Sequence, residues 1–167
     1  MRRISKNSTT SSYVREAVIV TKQPKDCACE TCQGYCQYRA GWPTPVEADK
    51  LLDLGLADKL WLDYWGGGFD DDEEDGYRDE IDIVAPAAVG YGGERAPFWP
   101  EGRCIFYTDG GMCSIHDSGA KPFECRMARH DHTPTLSAHE QVAQMWDTPE
   151  GKKVVSKWRS KINQMNG

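Results

Sequence analysis

The sequence predicts an α+β fold: a small, mostly helical domain with a β-hairpin, organised around a Cys-rich metal site. Three observations predict it. Helix-start signatures recur at Thr44-Pro45, Ser137 with Glu140, and Thr148-Pro149. The segments CIFY and MCSI flank the turn-forming tripeptide Asp109-Gly110-Gly111. Seven cysteines fall into two short groups, Cys27, Cys29, Cys32 and Cys36, then Cys104, Cys113 and Cys125. At 167 residues one domain is expected. Residues 1–25 read as a flexible N-terminal segment. Residues 26–167 read as a single metal-binding domain, with its core motifs at 27–130 and C-terminal helices at 136–165.

The elements follow in order. MRRISKNSTTSS is polar and Ser/Thr-rich, the composition of a tail. The apolar patch Ala17–Val20 is too short for a secretory core. In Thr44–Gly55, Thr44 caps, Pro45 takes the first helical position, Glu47 completes a capping box and Gly55 stops the helix. Leu56–Trp65 reads as a second short helix, with Leu56, Leu60 and Tyr64 on one stripe and Gly66–Gly68 ending it. Glu80–Val84 alternates and reads as a short strand, and 86–100 is loop. Arg103–Ile115 is the strongest β signal, a hairpin that brings Cys104 near Cys113. Pro122 opens a helix whose first turn holds Cys125. At the end, Val154, Trp158, Ile162 and Met165 recur at helical spacing, with Lys152, Lys153, Lys157 and Lys161 elsewhere on the helix. Such an amphipathic helix docks onto its own domain.

Charge and hydropathy exclude several classes. No apolar stretch approaches the ~20 residues of a membrane span. The net charge is −6, equal to the six charges of the run Asp70–Asp75, which reads as a solvated loop. Both ends are mildly basic and the middle is acidic, so the chain lacks the concentrated basic face of a nucleic-acid binder. No signal peptide is recognised, which points to a cytoplasmic location.

The cysteines carry the chemistry. An odd count does not close into disulfides, and four thiols within ten residues, flanked by Asp26, Glu30, Thr31 and Gln33, are not a core pattern. Cys29-x-x-Cys32-x-x-x-Cys36 sets three sulfurs on one loop. A zinc ion takes four donors, and a [4Fe–4S] cluster takes four thiolates, often three close and one distant. The second group supplies Cys104, Cys113 and Cys125. The candidate ligands are therefore Cys29, Cys32, Cys36, Cys104, Cys113 and Cys125, with Cys27 and His116 as further candidates and zinc or iron as the metal.

CETCQGYC, CIFYTDGGMCSIH and KPFECR, in that order, resemble the YkgJ-type CxxCxxCC cysteine-cluster family, a zinc- or iron-chelating domain. The matching positions are Cys29, Cys32, Cys36, Cys104, Cys113, Ile115, His116, Pro122, Cys125 and Arg126, within residues 27–130. Tyr35 stands at the family's third clustered cysteine, Lys121 replaces the usual Arg, and Cys27 is extra. The resemblance implies a metal site rather than a particular reaction. The flagellin lysine methylases carry a similar cluster, which implies protein or peptide modification as one setting.

Of the remaining residues, Arg126 is placed to stabilise thiolates or bind an anionic group. His130-x-His132 suits a metal on one strand face, but its polar context reads as a surface loop, and His139 reads as exposed on its helix. No phosphate loop, dinucleotide fingerprint or nucleophile elbow occurs. The expected function is metal binding, with a metal ion and a protein as partners. Two alternatives stay open: a metal-dependent protein-modifying or redox enzyme, and a closed structural-zinc interaction module.

Overall fold

The chain's sheet lies at its centre, upstream of the expected hairpin. In the computed structural model, which describes residues 29–67, 79–128, 130 and 136–167, strand β1 (Leu60–Gly66) pairs antiparallel with β2 (Glu80–Pro86). The register runs from Leu60 opposite Pro86 to Gly66 opposite Glu80. The strand expected at Glu80–Val84 is therefore present. The helix expected at Leu56–Trp65 is instead a 3-10 turn, Ala57–Lys59, followed by β1. Leu60, Trp61, Leu62 and Asp63 are all buried. A strand covered on both faces shows no alternation, so its apolar residues mimic a helical stripe.

The free edge of β1 is taken up by the chain at 93–96. Gly93 N donates to Leu60 O (2.7 Å), Leu62 N to Glu94 O (2.9 Å) and Ala96 N to Leu62 O (2.9 Å). Gly92 lets the chain pass, because a Cβ there would stand 2.1 Å from the Asp58 carbonyl oxygen. Arg103–Ile115, by contrast, forms tight turns with an isolated Tyr107–Cys113 bridge rather than two strands. Cys104 pairs instead with Ala88. Its thiol still comes into electrostatic reach of Cys113.

Five α-helices are described. Helix α1 (Glu30–Tyr38) begins at Cys29 and replaces the loop expected at the first cysteine group. Helix α2 (Pro45–Asp53) carries the expected capping box: Glu47 N donates to Thr44 Oγ1 (3.4 Å) and Thr44 N to the Glu47 carboxylate (2.9 Å). The short helix α3 (Phe123–Met127) follows Pro122 and holds Cys125 in its first turn. Helix α4 (Leu136–Trp146) starts before Ser137, which therefore lies in its first turn and not at its cap. Helix α5 (Pro149–Asn166) is capped by Thr148, whose hydroxyl accepts from Gly151 N.

Helices α2, α4 and α5 pack on β2, and α5 also lies along α2. Val154, Val155, Trp158 and Ile162 are buried in that contact, each burial worth roughly 1.5–3 kcal/mol. Met165, expected on the same stripe, is exposed. The C-terminal helices thus cover the sheet rather than wrap the cysteines. Trp146 and Trp158 spend their indole N–H groups on the carbonyls of Pro43 and Ala57. Among the described residues no helix is long and apolar enough to cross a membrane. Residues 1–25, Cys27, the run Asp70–Asp75 and His132 lie outside the described residues.

Candidate metal centre

Helix α1 presents its cysteines at positions i, i+3 and i+7, one face of a helix. Cys29 is the N-cap residue, with extended backbone (φ −68°, ψ 159°), and is exposed; Cys32 is half-buried one turn on. The donor atoms of Cys29, Cys32 and His130 all lie within 4.8 Å of one another. His130 Nδ1 is 3.7 Å from Cys29 Sγ and 3.6 Å from Cys32 Sγ, and its backbone N–H points at Cys32 Sγ (3.4 Å). A nitrogen about 2.1 Å and a sulfur about 2.3 Å from one tetrahedral ion stand about 3.6 Å apart. The group is therefore close enough to hold a metal ion at its centre. The expectation had set His130 on a surface loop with His132. Five residues past Cys125, no spacing rule announces that His130 returns to the start of α1.

The other four described thiols influence one another electrostatically, but no three of their sulfurs lie within 4.8 Å of one another. Cys36, at the far end of the α1 stripe, accepts the backbone N–H of Cys104 at its carbonyl (2.8 Å). Gln37 and Gln33 hold the Tyr107 hydroxyl at 3.1 and 3.3 Å, and so dock α1 on the 104–113 turns. Burial pushes the Cys104 thiol up to about 12. The N–H groups of Phe106 and Tyr107 oppose the rise, and Cys36 and Cys113 add to it. Burial likewise holds Cys125 well above its ordinary value, reinforced by Cys104, Cys36 and Cys113. Cys36 is raised by burial and by Cys113, against the pull of the Lys121 ammonium. Cys113 thus raises the cost of ionising Cys36, Cys104 and Cys125, so thiolates here call for a compensating cation. Six thiols from two sequence groups thus divide into an outer pair with His130 and an inner four.

Two buried carboxylates fix the helix that carries Cys125. Glu47 accepts the N–H groups of Thr44 and Phe123 (2.9 Å each) and pairs with the Arg126 guanidinium. Arg126 also donates to the Lys121 carbonyl. Its charge is thus matched by Glu47, and it ties α3 to α2. Glu124 accepts Trp42 N (2.8 Å) and pairs with His139 Nδ1. His139, expected to be exposed, is stacked on Trp42 with ring centroids 3.7 Å apart and meets Trp65 edge-on. Asp63, buried in β1, accepts the Trp42 indole N–H (2.7 Å) and Arg39 (2.9 Å). Gly41 is required where this frame passes Cys125, since a Cβ there would meet Cys125 N at 2.8 Å and its sulfur at 3.0 Å. None of Glu47, Asp63 and Glu124 is part of a metal-ligand pattern, and a buried carboxylate has no sequence signature of its own. His116, a candidate ligand, lies with its Nδ1 3.0 Å from the Lys121 ammonium and its Nε2 3.9 Å from Asp117.

Compared with family models, with curated proteins and with solved structures, the chain finds no match in any of the three.

Proposed function

We propose that the protein is a metal-binding cysteine-cluster protein of the YkgJ type, with two sets of ligands. The outer set is Cys29, Cys32 and His130. The inner set is Cys36, Cys104, Cys113 and Cys125. The observation that carries the reading is the 3.6–3.7 Å separation between His130 Nδ1 and two sulfurs. That spacing suits a shared zinc ion, whose ordinary donors are thiolate and imidazole. The inner four are all thiols, and no three of their sulfurs lie within 4.8 Å of one another, so they suit the wider ligand spacing of a [4Fe–4S] cluster rather than one zinc ion. A metal-dependent enzyme, which needs a coordination position open to water or a substrate, is the second reading.

Anaerobic purification with metal analysis and a visible spectrum tests this. Stoichiometric zinc, or brown protein with iron and sulfide, is expected, with metal content falling in Cys32→Ser and Cys125→Ser. Folded protein whose seven thiols all titrate freely and which holds no metal would overturn the reading.

A further inference from the structure

We propose that Cys29 and Cys32 also form a thiol–disulfide exchange pair whose substrates are small-molecule disulfides such as glutathione disulfide. The proposal uses two sulfurs of the outer site but not its metal, so the two readings fail independently.

Three features of the outer group carry it. The two sulfurs lie within 4.8 Å of each other on residues three apart at a helix start. Residues at that spacing have Cα atoms about 5–5.5 Å apart, inside the range a disulfide spans. The two thiols also differ in access: Cys29 is exposed, while Cys32 is half-buried. A bulky disulfide therefore reaches Cys29 first. Finally, His130 fixes the position of Cys32, with its Nδ1 3.6 Å and its backbone N 3.4 Å from the sulfur.

The reaction balances as two exchanges. Cys29, as thiolate, attacks one sulfur of glutathione disulfide, forming a Cys29–glutathione mixed disulfide and releasing one glutathione thiolate. Cys32 gives up its proton and attacks the Cys29 sulfur, forming the Cys29–Cys32 disulfide and releasing the second glutathione. Two cysteine thiols are oxidised, one glutathione disulfide is reduced to two thiols, and the two protons pass to the leaving thiolates. The intramolecular bond uses the sulfur electrons that a metal ion would share, so bound metal and disulfide exclude each other. Among the inner four, Cys104 is buried and none is exposed as Cys29 is.

The test uses the full chain, reduced and metal-free, mixed anaerobically with glutathione disulfide, quenched by alkylation and digested with trypsin. Fragmentation of the peptide spanning 26–39 locates the bonds among its four cysteines. A Cys29–Cys32 disulfide with Cys36 alkylated is expected, and the Cys27→Ser variant should form it equally well. Cys32→Ser should stop at a glutathione adduct on Cys29. Closure should outpace modification of Cys104 or Cys125 by at least about ten-fold. A persistent adduct in the unmutated chain, pairing through Cys27, or equal oxidation of the inner thiols would overturn the proposal. Zinc added first should block closure. Closure undiminished by saturating zinc would count against the outer metal site while leaving the exchange pair standing.

Discussion

The outer and inner cysteine groups share helix α1 but are built on different physical terms. The outer group joins one helix start to a single distant residue, His130, and sits at the surface. The inner group draws its thiols from three segments, helix α1, the 104–113 turns and helix α3, tied by bonds such as Cys104 N to Cys36 O and by the carboxylates Glu47 and Glu124. Burial raises Cys36, Cys104 and Cys125, whereas the outer sulfurs keep an imidazole and a backbone N–H at hand. A ligand set assembled from three separate segments is inseparable from the fold, and one assembled at a helix end is separable. The inner site should therefore hold the structure together, and the outer site should exchange its ligands.

The strongest way to break this comparison is to remove an inner ligand. On the proposed two-set reading, Cys104→Ser should abolish inner metal binding and lower stability by most of what that metal contributes. Melting followed by circular dichroism reads it; a melting temperature unchanged from the parent would show that the inner four are not structural. Next in size is Glu47→Ala, which strips an acceptor from Thr44 N, Phe123 N and Arg126. It should cost about 3 kcal/mol in chemical denaturation and loosen inner metal without touching a ligand.

Alkaline pH sharpens the contrast further. Cys104 titrates near 12 in the metal-free fold against 9.0 in an open chain, so between those values the unfolded chain has lost a proton that the fold retains. Stability of the metal-free protein should be intact below pH 9 and fall as pH rises toward 12, with Cys125 and Cys36 adding to the loss. Metal-loaded protein should lose less, because its thiols have already released their protons. The smallest effect on stability is expected for His130→Ala. It should weaken outer metal sharply in chelator competition, yet leave the melting temperature within about 2 °C of the parent. A large drop would mean that the outer group, too, is structural.

Several elements were legible because their signals are local. The Thr44–Glu47 capping box and the Thr148 cap are closed by residues three positions apart, so the chain declares them without its partners. The α5 stripe was legible up to Ile162, where the neighbouring surface ends and Met165 meets solvent. β1 was not legible. Leu60 to Asp63 is buried throughout, and the 93–96 segment that pairs with its edge sits about thirty residues away. The turn tripeptide at Asp109 marked a reversal correctly, but a reversal becomes a hairpin only when its flanks pair. Cys104 pairs with Ala88 instead.

By itself the sequence determined the small α+β class, the helix starts and the two thiol groups, because composition, caps and cysteine spacing act over a few residues. The tertiary structure decided which thiols meet. Cys29 and Cys32 turn to His130, and Cys36 turns to Cys104, Cys113 and Cys125. It also decided that His139 is a partner of Glu124 rather than a surface group. The reason is distance along the chain: these contacts join residues from 15 to about 100 positions apart. At such separations packing and burial, not local pattern, select the partner.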